Sequence, residues 1–200
     1  MRKREKERAD RELRNVAYHE AGHAVMHLVE RRRFTYVSIE PTGRSLGRVV
    51  VSPLSVRRGE RLFRDGFIDV GSIRVALAGS SAERRIAGRY NHLGSLYDYG
   101  RAIDIARGAD ESGGGPESAP MVHAVINAAT KEVEEIIVRW WPEVEALAVE
   151  LLTRRRMTFE EVQDFVMAVR RRRQGERGKL ASARSHDSAR LTDPIRGGGR

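Results

Sequence analysis

The residues best suited to chemistry are Tyr18-His19-Glu20-Ala21-Gly22-His23-Ala24, which contain the pattern H-E-x-x-H. On a helix, positions i and i+4 share one face a turn apart, so the imidazoles of His19 and His23 can reach a single metal ion with Glu20 at its edge. Such a set suits a zinc hydrolase. Neutral ring nitrogens hold Zn2+, and the carboxylate takes a proton from the bound water. By itself the pentad is also compatible with an ordinary amphipathic helix, since chance gives the three fixed residues in roughly two chains in a hundred of this composition.

Catalytic zinc takes three protein ligands and keeps one position open. The chain has no cysteine, so thiolate sites and disulfides are excluded and the third ligand must be His, Asp or Glu. His27, His92, His123, Glu83, Asp98 and Asp104 are candidates. His27 is one further turn along from His23, and three ligands in a row on one helix do not readily surround one tetrahedral ion. A third histidine six residues after His23 is ruled out because that position is Val29. Spacing alone leaves the rest open.

The helix that must carry the pentad is expected from about Glu12 to Arg32, with Leu13, Val16, Ala17, Ala24, Val25 and Leu28 as its apolar positions. Gly22 within it costs roughly 1 kcal/mol against alanine, and such a glycine marks the close approach of another backbone. Phe34–Ser52 is β-branched and aromatic and is broken by Pro41-Thr42-Gly43, which predicts a hairpin or a pair of strands. Residues 53–66 read as loop. A second helix is expected over Asp69–Gly88, with a face rich in small residues that suits packing against Gly22. Ser95 is expected to open a third helix through about Ala109, and Ser95 with Asp98 fits a capping box, which stands as the alternative to a ligand role for Asp98. Residues 111–119 read as a connection, and Met121–Glu150 as a long helix bent or broken at Pro142. Thr158 and Glu161 form a capping box for a last helix ending at Arg170–Arg173, and residues 174–200 are expected to be disordered.

The net charge of +9 is concentrated at the ends. Residues 1–14 carry 7 basic and 4 acidic side chains, residues 170–200 carry 10 and 3, and the 155 between them carry 20 and 21. A nearly neutral core argues against nucleic acid as the main partner and leaves the basic ends as solvated tails or weak, salt-sensitive contacts. The N-terminus lacks the apolar run of a secretory signal, and no stretch approaches 18 apolar residues, so no membrane span is expected and the compartment is taken as cytoplasmic.

Several segments resemble one family in order along residues 13–168. Asn15–Val25 resembles the zinc motif of the peptidase domain of FtsH-type ATP-dependent metalloproteases. Val37-Ser38-Ile39-Glu40-Pro41-Thr42-Gly43 with Leu46-Gly47 is similar to its strand-loop segment, and Val75–Glu83 to a helix of pattern L-x-G-R-x-A-E-E. Gly94–Asp98 with Arg101–Arg107 resembles its segment G-A-x-x-D-L-x-x-A-T-x-x-A-R, and Leu147–Leu152 with Met157–Val162 its closing helices. The resemblance implies Asp98 as the third zinc ligand beside His19 and His23, with Asp104 as the fallback. For Glu83 two roles stay open, orienting a histidine ring or a simple surface salt bridge. Thr42, Ser80 and Ile103 depart from the family pattern, and the 200 residues contain no G-x-x-x-x-G-K-[ST].

The expectation is therefore a mainly α (α+β) fold, a helical zinc-metallopeptidase domain with a small β unit after the zinc-binding helix. Residues 1–12 form a charged extension, 13–170 the domain and 171–200 a basic tail. Function is expected to be zinc-dependent hydrolysis of unfolded or flexible polypeptides, with Glu20 as general base on a zinc-bound water. A separate ATPase or unfoldase partner and homo-oligomerisation are compatible with this reading. The alternative is an inactive zinc-binding regulatory or interaction module, with basic ends that meet acidic surfaces or nucleic acid.

Overall fold

A computed structural model describes residues 2–43, 46–51, 68–88, 92–107 and 119–191. The loop expected over 53–66, most of the 111–119 connection and the end of the tail lie outside these residues. Among the described residues the order is α1 (Arg2–Val29), β1 (Phe34–Ser38), β2 (Arg48–Val51), α2 (Val70–Ala87), α3 (His92–Arg107), α4 (Ala119–Arg139), α5 (Trp141–Arg154), β3 (Arg156–Thr158) and α6 (Phe159–Leu191). The fold is mainly helical with one small three-stranded sheet.

The second half of α1 is the central element. Ala17, Ala21, Ala24, Val25 and Met26 are fully buried, and the helix is covered by α2 on one side and α5 on another. At Gly22 α2 packs close against the backbone of α1. A β-carbon there would lie 2.7 Å from the Ala78 carbonyl oxygen and 2.7 Å from the Ala82 β-carbon. The small-residue face of α2 therefore does what its composition suggests. On the α5 side, Tyr18 stacks on Trp141 with ring centroids 5.6 Å apart.

The first turns of α1 are exposed and charged, and helix starts at Arg2 rather than near Glu12 because this stretch is rich in Lys, Arg and Glu, which hold helix by propensity. α1 ends in a Schellman closure. The Arg32 N–H bonds the His27 carbonyl at 2.8 Å and the Arg31 N–H bonds that of Leu28 at 3.1 Å, with Arg31 at φ 52°. The turn delivers Arg32 to Asp69, the N-cap of α2, whose carboxylate also accepts from the Ser72 N–H at 3.1 Å. Gly88 at φ 70° closes α2, so this helix has the bounds its end signals predict.

The sheet order is β2-β1-β3, antiparallel throughout. Val37 pairs with Val49 and Met157, and this face covers the core. The strand β3 was not expected, since three residues are too short to show a period and pair only through a neighbour distant in sequence. α3 begins at His92, upstream of the expected start at Ser95, so Asp98 belongs to its body and not to a capping box. Pro142 separates α4 from α5, sitting in the first turn of α5 where a missing N–H costs nothing. The Thr158–Glu161 capping box forms reciprocally, Thr158 N–H to Glu161 Oε2 at 2.8 Å and Glu161 N–H to Thr158 Oγ1 at 3.4 Å. α6 continues to Leu191, past the expected end at Arg173. Ala and Arg each recur three times over residues 174–191, and both favour helix by propensity.

Candidate metal centre

Three donor atoms from two helices meet at one point. His19 Nε2 and His23 Nε2 are 3.1 Å apart, and Asp98 Oδ2 is 2.9 Å from the first and 3.2 Å from the second. Ligand atoms about 2.0–2.1 Å from a tetrahedral zinc ion lie about 3.3 Å from one another. The triangle thus fits three corners of such a shell, slightly contracted. Two imidazoles and one carboxylate are also the donor types that borderline divalent metals take.

Each imidazole is aimed by its other nitrogen. His23 Nδ1 lies 2.7 Å from the Val75 carbonyl oxygen. A carbonyl only accepts, so Nδ1 carries the hydrogen and Nε2 presents its lone pair to the centre. His19 Nδ1 donates in the same way to Glu83 Oε2 at 3.2 Å. Val75, Gly79 and Glu83 follow one another at i, i+4 and i+8 on α2 and so form one stripe. Its middle member has no side chain because the imidazoles occupy that space, and a β-carbon on Gly79 would lie 2.7 Å from His19 Nε2.

Glu20 is buried on the same helix. Gly47, at the entry to β2, packs against it, with the site of a β-carbon 2.7 Å from Glu20 Oε1. Burial raises the Glu20 carboxyl above its ordinary value, more than the neighbouring histidines lower it. Burial pulls the His19 imidazole down, but its hydrogen bonds to Asp98 and Glu83 and the charge of Glu20 outweigh it and push it up to about 10. Asp98 moves oppositely. Burial works to raise it, while His23 and His19 hold it well below the usual carboxylate range. The cluster therefore favours a positive charge at its centre, which a proton or a metal cation supplies.

The other candidates are not part of this cluster. Asp104 faces solvent on α3, and His123 is exposed on α4. The side chain of His92 lies outside the described residues. His27 is buried edge-on against Phe34, with centroids 5.4 Å apart, and burial lowers it to about 3, so it is a neutral core imidazole. Sequence reasoning did not single out Gly79 or the Val75 carbonyl. The sequence signals for Gly79 were its place among the small residues of α2 and the glycine of the pattern L-x-G-R-x-A-E-E, and the Val75 carbonyl had none.

A helix bearing H-E-x-x-H, closed by a carboxylate from a second helix, has the layout of a metal-dependent hydrolase. The chain belongs to Peptidase family M41, whose family model matches residues 6–111. It is 36% identical over 118 residues to the ATP-dependent zinc metalloprotease FtsH of Thermus thermophilus, an alignment covering 58% of this chain and 18% of that protein. The chain thus spans about a fifth of the length of this relative. The family match ends before α4, so the resemblance of the closing helices lies outside it. Among the described residues no helix is long and apolar enough to cross a membrane.

Proposed function

We propose that the domain, residues 13–170, is a zinc-dependent metalloendopeptidase acting on unfolded or flexible polypeptide. His19, His23 and Asp98 are its metal ligands and Glu20 is its general base. The observation that carries this reading is the meeting of the two imidazoles and Asp98 within one tetrahedral edge of each other, beside the buried Glu20. A bound Zn2+ would lower the pKa of a bound water to ~7 and polarise the substrate carbonyl.

The chain's own residues supply the rest. Glu83 and the Val75 carbonyl fix both imidazoles with their lone pairs toward the centre. Glu20 takes a proton from the attacking water and returns it to the leaving amine. Gly47 keeps the approach to Glu20 free of side-chain bulk. An extended polypeptide is read as an added strand along β2, which brings its backbone past this point. ATP-driven unfolding, suggested by the name of the Thermus thermophilus relative, would come from a separate partner or from sequence outside these residues.

The test is cleavage of casein by the zinc-loaded protein. Cleavage is expected to be chelator-sensitive and to fall by about 10²–10⁴ in Glu20→Gln, which keeps its zinc. A Glu20→Gln variant that cuts as fast as the parent overturns the mechanism. A zinc-loaded parent that cuts nothing leaves the non-catalytic zinc-binding module as the better reading.

A further inference from the structure

The outer face of the sheet carries a row that the catalytic reading does not use. Ser38 pairs with Arg48 on β2 and with Arg156 on β3, so the three side chains share a face with Tyr36, two residues before Ser38. Val37, Val49 and Met157 point the other way, to the core. The Arg156 guanidinium lies 3.6 Å from the centroid of the Tyr36 ring, and that of Arg48 lies 5.9 Å from it. Two cations thus flank one aromatic ring across the three strands.

This row lacks negative charge. The residues of the face are Tyr36, Ser38, Arg48, Val50, Arg156 and Thr158, none of them acidic. Among the described residues neither Arg48 nor Arg156 pairs with a carboxylate, although Arg33 and Arg154 close by pair with Glu160 and Glu161. The Arg48 Nε is moreover buried without a hydrogen-bond acceptor. A buried donor left unpaired costs stability, and stacking on a ring leaves the edge of a guanidinium free to bind a carboxylate bidentately.

Position decides what reaches it. Arg48 directly follows Gly47, which touches Glu20. Among the described residues β2 pairs on one side only, with β1. A polypeptide added to the edge of β2 that has no strand beside it among the described residues would place alternate side chains on the outer face, directly across from Arg48 and Val50. We propose that the Arg48–Tyr36–Arg156 row is a subsite for an acidic side chain of the extended polypeptide, within a residue or two of the bond presented to Glu20. The subsite rests on the reading of β2 as the substrate's docking edge. It makes acidic, unfolded polypeptide the favoured substrate class. Single-stranded nucleic acid is the competing occupant, since it too offers anions and flat rings.

The test is binding, so that its result does not depend on turnover. A labelled extended peptide containing Asp and Glu at alternate positions, and its Asn and Gln counterpart, are titrated by fluorescence anisotropy into the zinc-loaded full chain carrying Glu20→Gln. The acidic peptide is expected to bind about tenfold tighter or more. That preference is expected to vanish in Arg48→Gln and weaken in Arg156→Gln, while Arg48→Lys keeps part of it. Arg156 is exposed, so its variant tests the row even where replacement at Arg48 disturbs the strand. Equal binding of the two peptides overturns the proposal. So does a preference that survives both glutamine variants, or tighter binding of a single-stranded oligonucleotide through the same arginines. Casein cleavage by the parent separates the two readings. Arginine-dependent acidic binding without any cleavage leaves the subsite and removes hydrolysis. Chelator-sensitive cleavage without acidic preference does the reverse.

Discussion

Gly79 lies directly against the imidazole of His23, and a β-carbon at this position would also stand 2.7 Å from Nε2 of His19. The glycine therefore keeps open the space between α2 and the two nitrogens. Gly79→Ala is expected to retain the helical fold, judged by circular dichroism, while zinc affinity falls by about 10–100-fold, in the range seen when a residue supporting the ligands is changed. A variant that binds zinc as tightly as the parent would show that α2 can draw back without disturbing the ligands.

Glu83 is buried and bonded to His19 Nδ1, a partner 64 residues away. Its removal frees the ring to rotate and lets either tautomer form. Glu83→Ala is expected to weaken zinc binding by about 10–100-fold, read by competition with a chromophoric chelator. Glu83→Gln, which keeps an acceptor oxygen, is expected to lose less. Equal and negligible losses would reduce Glu83 to a salt-bridge partner.

Asp69 ties the start of α2 to the end of α1 through Arg32 and Ser72. Burial works to raise its carboxyl, but the bonds from Arg32 and Ser72 prevail and hold it below its ordinary value of 3.8. A depressed folded pKa contributes stability that is present above the unfolded value and lost as the pH falls through the folded one. Asp69→Ala is expected to lower stability at pH 7 by about 1–3 kcal/mol through the lost cap and ion pair. In denaturant titrations the gap between parent and variant should close as the pH drops below that ordinary value. A gap that stays constant into acid would refute the electrostatic account.

Glu143 is completely buried at the start of α5, and Arg173 Nη1 lies 2.8 and 2.9 Å from its two carboxylate oxygens. Removing this arginine leaves the buried carboxylate only the more distant Arg170, whose Nη1 lies 3.9 Å from Oε1, and Arg173→Ala is expected to cost up to about 3–5 kcal/mol. The double variant Glu143→Leu with Arg173→Leu is expected to recover most of that loss, because no charge is then stranded. Thermal or denaturant melts of the three proteins decide it. A double variant less stable than Arg173→Ala would contradict the argument.

The sequence by itself determined what depends on near neighbours along the chain. H-E-x-x-H places two imidazoles on one face through the helical period alone. Asp69 and Gly88 delimit α2, Pro142 divides α4 from α5, and Thr158 with Glu161 caps α6, all through contacts three or four residues apart. At Asp98 the local signal left two readings open. Ser95 with Asp98 reads as a capping box, yet α3 already runs at that point and Asp98 turns to His19 and His23. Asp98 was singled out among the acids by family resemblance and not by spacing.

Only the tertiary structure decided which distant groups meet. Val75, Gly79 and Glu83 support the histidines because α2 lies against α1, and Gly22 records that approach from one side only. β3, the Glu143–Arg173 pair and the Arg48–Tyr36–Arg156 row likewise join residues from separate parts of the chain. The physical reason is the same in each case. Helical period and capping act through bonds a turn long and are written in adjacent residues. Packing, charge pairing and metal geometry act through space, and no local pattern encodes which distant surfaces come together.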